Sequence, residues 1–524
     1  MPPRPPPRPP PVPSTTRSTP ARSPAPHATP RPSAPTATSP CSSIRSAPPP
    51  PGAPELTLEF FGIVEADLDI VTGASLGFPH LATARDVADR LKKRYCTNLA
   101  VEVQHLGSEE ERAWFRQLFT EEKLTAPLTA DEKKAVLRRL TEVDGFERFL
   151  GKAFVGYKRF SIEGTDALVP MLDAAIERSA AAGVKHVALA MAHRGRISVL
   201  THVLGKPALQ IFSEFQGKHG HLGGMSSTGD VKYHLGYDGK RQMTNGGEVE
   251  VSLVPNPSHL EVVNPVLQGR ARALQRDAQD RRVRREEDVV PIVIHGDAAF
   301  PGEGIVPETM NLSRLRAIAW AARSTSSSTT RSASRPIPSD ARSTWYASDV
   351  AKGFEIPIIH VNGDDAEACV IGRAHRGHVP RRASEGLPRW TSWATVAGGT
   401  TRATSRTYTQ PLLYARVRAA SDGAPGVGRK RLVGEGVVTA EQVEELDKQL
   451  QDRFDGLLAE SRRSVDLDHD EQEPLRPTPS SLPAIETNVR AESLIALNER
   501  LLTWPPDFTP HPRLAKQLER RREA

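Results

Sequence analysis

From Phe160 onward the chain alternates short apolar runs with amphipathic stretches, and polar residues collect where the runs end. That order predicts an α/β fold with an open, mostly parallel sheet, because each parallel crossover needs a helix to carry the chain back. The sharpest instance is residues 289–309, VVPIVIHGDAAFPGEGIVPET. An apolar run over 289–294, interrupted by Pro291, delivers His295, Gly296 and Asp297, then two alanines and a glycine-rich turn. In a parallel sheet, ligands bind beyond the carboxyl ends of the strands. An acid at such an end can hold a hard cation, and small neighbours let a diphosphate approach the backbone.

The rest of the chain is read around this stretch. With 524 residues there is core enough for about two to four domains. Hydrophobic content of 38% and charged content of 25% place the bulk among soluble globular chains. The net charge of +6 comes from one end, since residues 1–54 hold six Arg and no acid. The remainder has 63 basic residues against 63 acidic, so no nucleic-acid footprint is expected. Cys41, Cys96 and Cys369 are far apart and lack metal-site spacing, which excludes a disulfide framework and fits a reducing compartment. No apolar run approaches the ~20 residues of a membrane span.

Residues 1–54 contain 21 of the 46 prolines and read as a disordered arm. Residues 55–150 read as a small helical domain, with helical spacing over 84–95, 131–141 and 143–150. A further helix over 108–119 opens on a cap-like Ser108. The α/β domain is expected over 151–430, with a helix over 163–182 ended by Gly183 and a strand over 184–191. Residues 431–524 read as a helical linker. His186 and His202 read as surface or packing residues.

The segments KAFVGYKRFSIEGTDALVPMLD, MAHRGR, TGDVKYHLGY, NPSHLE and HGDAAFPGEGIVPETMNLS occur in this order. Together they resemble the decarboxylating component of the 2-oxoglutarate dehydrogenase complex, a thiamine-diphosphate enzyme, over about residues 84–520. The resemblance implies thiamine diphosphate and Mg2+ as cofactors, with Asp297 as cation ligand and Ala298 and Ala299 beside the cofactor. It places Arg194 on the diphosphate as a planar, permanently charged donor. Ser258 and Leu260 line the cofactor site in this reading. His193 and His234 match the positions that meet the 2-oxo acid, where imidazoles can bind a carboxylate and move protons. The cofactor ring serves as electron sink as carbon dioxide leaves. Implied partners are the dihydrolipoyl succinyltransferase component with its lipoyl arm, dihydrolipoyl dehydrogenase, and a second copy of the chain in a homodimer. The implied place is the tricarboxylic acid cycle, in a bacterial cytoplasm or a mitochondrial matrix. Two other readings stand beside this one: another thiamine-diphosphate-dependent 2-oxo-acid dehydrogenase or carboligase, and a non-catalytic fragment that only assembles with partners.

The sequence departs from the family pattern in places. Where the family has a strand resembling VHIIVNNQIGF, whose second Asn ligates the cation, this chain reads STSSSTTRSAS at 324–334, with Thr329 and Thr330 in place of the two Asn. Written in C-ending codons where possible and read one base later, VHIIVNNQIGF translates to STSSSTTRSAS. In the same way the family's HNEGDEP yields TTRATSR, found at 400–406. The expectation is a coding sequence with compensated frameshifts, and no regular buried element over 317–339 and 370–407, which lack a period of 2 or 3.6. Residues 503–524 resemble the family just before its second cofactor domain, so the chain as written is expected to lack that domain and to have no turnover of its own.

Overall fold

The computed structural model describes residues 57–523, apart from 77, 96–97, 121–126, 158, 217–230, 245, 277–284, 313–324, 332–341, 345, 375–389, 396–422, 464–487 and 506–507. The Pro-rich arm at 1–54 thus lies outside the described residues.

Eight strands follow in chain order: β1 (Leu99–Glu102), β2 (His186–Met191), β3 (Tyr237–Gln242), β4 (Glu248–Leu253), β5 (Val289–Ile294), β6 (Thr325–Arg331), β7 (Ile358–Val361) and β8 (Trp390–Thr395). Six of them form one sheet in the order β3-β4-β2-β5-β6-β8. Every neighbouring pair in it is parallel except β3 with β4. This is the open, mostly parallel α/β sheet that the alternating pattern predicts. The other two strands, β1 and β7, form a separate antiparallel ladder that ties the N-terminal region to the body.

The strand sequences explain the layers. Successive side chains on a strand face opposite sides of the sheet. On β2, Val187, Leu189 and Met191 face a core shared with the helices Ala130–Ala153 and Leu168–Ala181. Ala188 and Ala190 face the other way, onto Val263 and Leu267 of the helix Val263–Leu274. Alanines on that face let the crossover helix between β4 and β5 lie close against β2. β5 is buried throughout, as a strand covered on both faces must be. Its Pro291 pairs with Ala188 of β2, whereas the ladder to β6 begins only at Val293. The residue without an N–H therefore sits where β5 has a single neighbouring strand.

Helix signals hold locally. Ser108 caps the helix Glu109–Thr120 by accepting from the Glu111 N–H at 3.3 Å. Thr129 and Glu132 form a capping box at the start of Ala130–Ala153. That helix runs across the boundary expected at 150, and its Leu140 and Val143 belong to the main core. Its C-terminal half packs Phe146, Phe149 and Leu150 against Phe212 and Phe215 and against Leu450, Phe454 and Leu458 of the helix Ala440–Arg463.

Of the expectation of no regular buried element over 317–339 and 370–407, the regularity is met with a difference: part of both segments is regular backbone. Thr325–Arg331 is a strand held between β5 and β8, Trp390–Thr395 is the outermost strand, and the helix Ala366–Ala374 runs through 370–374. The remaining residues of both segments lie outside the described residues. The physical reason is that a parallel ladder satisfies backbone groups whatever the side chains are. Thr and Trp, moreover, have high strand propensity even without alternation. β5 pairs only with Thr325 and Ser326, while β6 pairs with β8 as far as Arg331. The register therefore carries Thr329 and Thr330 past the end of β5, toward the sheet edge where Asp297 lies.

Candidate functional site

β2 is followed in the chain by β4 on one side of it and by β5 on the other. The strand order thus reverses between β2 and β5, whose last residues, Met191 and Ile294, are register partners. A sheet of this kind opens a crevice beyond the strand ends at that point. Most of the residues expected to do chemistry lie on loops that leave this edge: 192–195 after β2, 254–261 after β4 and 295–299 after β5.

The turn after β2 is fixed by Gly195. Its φ is +75°, and an added Cβ would lie 2.9 Å from Ile162 Cγ1, so conformation and space both call for glycine. Gly195 N–H donates to the Phe160 carbonyl at 2.9 Å. The turn presents His193 and Arg194 half-buried. Arg194 Nη1 donates to the Ser161 carbonyl at 2.9 Å, so one arm of its guanidinium is held by the loop that packs on this turn.

His193 and His234 meet. Their Nε2 atoms are 3.2 Å apart and their rings stand edge to face, with centroids 4.6 Å apart. His234 Nδ1 lies 2.8 Å from the Asn256 carbonyl oxygen. A carbonyl only accepts, so His234 carries a proton on Nδ1, and in the neutral ring its Nε2 accepts from His193 Nε2–H. Phe160 packs against the His193 ring with centroids 5.2 Å apart. The pair can hold and pass on a proton at the mouth of the crevice, with the tautomer of one ring set by the backbone.

Behind the pair lies Arg196, fully buried. It donates to the carbonyls of Met191 (2.9 Å), Leu235 (2.7 and 3.0 Å) and Val254 (2.5 Å). One guanidinium thereby joins the end of β2, the His234 loop and the end of β4. Burial pushes its pKa down to about 9, which leaves it charged at neutral pH.

After β5, Asp297 and Ala298 are half-buried, and Ala299 is buried at the start of the short helix Ala299–Gly302. The Asp297 carboxylate lies 3.8 Å from Arg342. A Cβ added to Gly296 would meet nothing within 4 Å, so this turn is open. His295, just before it, is buried, and its Nδ1 is 2.5 Å from the buried Glu261 carboxylate. From NPSHLE, Ser258 is exposed and Leu260 half-buried. The stronger links of this motif come from its ends, the Asn256 carbonyl and the Glu261 carboxylate. Reasoning from sequence passed over Arg196, Glu261, His295 and Arg342 as site residues. The first three stand inside the quoted motifs, where a charged or imidazole group beside an apolar run was the available signal. His186, at the start of β2, lies 3.0 Å from Glu250, and His202 packs half-buried against Phe146, its pKa pushed down to about 3 by desolvation. Both are packing or surface residues.

Among the described residues no group of three or more His, Cys, Asp or Glu side chains could hold a metal ion. Asp297 stands as a single carboxylate, which suits a cation whose other oxygens come from neutral groups and from a ligand's phosphates. A lone acid, a half-buried Arg and an open Gly-Asp-Ala turn at one switch point fit a metal-bridged diphosphate.

Comparison with known proteins gives the family. The sequence model of the dehydrogenase E1 component matches residues 142–467. The chain belongs to the dehydrogenase E1 component family. It is 41% identical over 468 residues to a 2-oxoglutarate dehydrogenase E1 component of Shouchella clausii (strain KSM-K16), covering 85% of this chain and 48% of that protein. Proteins of the same name from Bacillus mycoides (strain KBAB4) and Bacillus cereus (strain 03BB102) are 41% and 40% identical, over 84% of this chain and 46% of each. The chain spans about half the length of the curated relatives it matches. Membership of this E1 family implies thiamine diphosphate as the cofactor.

Proposed function

We propose that this chain is the diphosphate-binding half of a 2-oxoglutarate dehydrogenase decarboxylating subunit. The observation that carries the reading is the gathering of Arg194, the His193–His234 pair and Asp297 at one switch point of a parallel sheet. The names of the relatives support the substrate. In this reading Asp297 ligates Mg2+, Arg194 neutralises diphosphate charge, and Ala298, Ala299, Ser258 and Leu260 line the cofactor. Bound thiamine diphosphate supplies the nucleophilic carbon and the electron sink for decarboxylation of a 2-oxo acid. As an imidazolium, His193 keeps its Nε2–H on His234 and holds a substrate carboxylate or carbonyl oxygen through its Nδ1–H. His234, its tautomer fixed by the Asn256 carbonyl, accepts or returns a proton through His193. Phe160 limits water access on one side of the His193 ring.

The proposal extends to partners and place: the dihydrolipoyl succinyltransferase component with its lipoyl arm, dihydrolipoyl dehydrogenase, a homodimer, and a bacterial cytoplasm. Among the described residues no helix is long and apolar enough to cross a membrane. We also propose that 324–334 is encoded out of frame, since the shifted reading of one family strand accounts for all of its residues. Resequencing the gene tests that, and clean reads that confirm the present bases reject a sequencing error. For the activity, the chain is to be co-expressed with a polypeptide covering the half of the relatives it does not match, with 324–334 written as VHIIVNNQIGF. Carbon dioxide release with 2-oxoglutarate well above that with pyruvate is expected. Preference for pyruvate, or none for either, rejects the assignment.

A further inference from the structure

β4 and β5 do not touch, because β2 lies between them. Their exit loops start about 10 Å apart, two strand spacings, and no backbone ladder fixes one against the other. Side chains do so instead. Glu261, from the loop after β4, accepts from His295 Nδ1, at the end of β5, across 2.5 Å. The two side chains are only 2% and 1% exposed. A buried carboxylate without a hydrogen-bond donor is costly, so this contact holds both loops to one arrangement. The His295 ring is held in turn by Phe300, edge to face at 4.9 Å, and Phe300 N–H donates to the Gly296 carbonyl at 3.0 Å. Glu261 is anchored at the head of the helix Val263–Leu274, where its carbonyl accepts from Asn264 N–H at 2.9 Å.

We propose that Glu261 and His295 are positioning residues, a buried couple that locks the Asp297 turn to the loop bearing Asn256, Ser258 and Leu260. Through the Asn256 carbonyl the same loop sets the His234 tautomer, so one contact aligns the acid, the lining residues and the imidazole pair. The couple's importance for catalysis rests on the functional reading above. The coupling itself does not, and its test uses no cofactor.

The test is hydrogen–deuterium exchange on the full chain with Glu261→Leu, Glu261→Gln and His295→Phe. Leu keeps the bulk but loses the acceptor, whereas Gln keeps an oxygen that can accept from Nδ1–H. In Glu261→Leu, amides over 295–300 should exchange about tenfold faster or more, while β2 and the helix Ala130–Ala153 stay unchanged. Glu261→Gln should remain within about threefold of the parent. His295→Phe should speed exchange reciprocally over 256–262. Unchanged exchange over 295–300 in Glu261→Leu overturns the proposal, and so does acceleration spread equally over β2 and that helix. If Glu261→Leu does not fold, His295→Phe decides. Failure of both to fold assigns the pair to general core stability and rejects the positioning role. A failed cofactor titration, by contrast, leaves the exchange result standing.

Discussion

At the scale of single residues, Arg196 shows how a site can be held from behind. Its guanidinium serves three carbonyls, at the end of β2, in the His234 loop and just after β4, and has no exposed surface. Arg196→Met would leave those carbonyls without donors, at a cost of about 3–5 kcal/mol. Urea unfolding of the chain should show that loss as a lower midpoint with an unchanged slope. Arg196→Lys, a compact cation without the planar fork, should recover only part of it. Asp166 supplies a pH signature. It is buried near Asp144, and burial together with that charge raises its pKa to about 8, while Gly164 N–H donates to it at 3.0 Å. An unfolded Asp titrates near 3.9. The native chain therefore holds a proton that the unfolded chain releases above about pH 4, so stability falls as pH rises from about 4 to about 8. Between pH 5 and pH 8 the parent should lose a few kcal/mol more than Asp166→Asn, which keeps an acceptor for Gly164 and does not titrate. Parallel stability curves for the two proteins would show that Asp166 titrates normally.

At the scale of elements, the sheet was legible where side-chain pattern and backbone demand agree. Apart from His186 and Pro291, β2 and β5 are apolar throughout, and both lie at the centre of the sheet where their sequences put them. β6 was not legible. Thr325–Arg331 carries no apolar residue, yet it lies between β5 and β8 with ladders on both sides. Periodicity reports which side chains are buried, and a strand whose position is set by its neighbours need not display it. The same ladder brings Thr329 and Thr330 to the edge where the family pattern has its Asn pair. Writing 324–334 as VHIIVNNQIGF should place apolar residues on a strand flanked on both sides, which favours burial on both faces. The thermal midpoint should rise by several degrees. A midpoint that is unchanged or lower would mean that β6 in this chain is not an internal strand. Thr330→Asn alone should leave the midpoint near that of the parent, because it exchanges one polar side chain for another and adds no apolar surface.

At the scale of the whole molecule, the sheet gathers residues from separate loops, and the motifs revealed which ones more readily than how they are held. His193 and His234 could be named from MAHRGR and TGDVKYHLGY, but their direct contact depends on a fold that brings residues 41 positions apart to 3.2 Å. The division of labour between cation site and imidazole pair leads to a kinetic prediction for the chain restored at 324–334 and paired with the remaining half of its relatives. In the proposed reading Asp297 is the single carboxylate on the cation, so Asp297→Asn would remove the one charged protein ligand. The requirement for Mg2+ and thiamine diphosphate should then rise by tenfold or more, with turnover partly recovered at high cofactor. His193→Ala leaves that carboxylate and Arg194 in place. It should bind cofactor like the parent and lose turnover of 2-oxoglutarate by about 100-fold at saturating cofactor, the scale of a lost acid–base group. Cofactor titrations followed by intrinsic fluorescence separate the two without relying on activity. If Asp297→Asn titrates like the parent, Asp297 is not the cation ligand. If His193→Ala weakens cofactor binding as much as Asp297→Asn does, the imidazole pair belongs to the diphosphate site and not to the substrate.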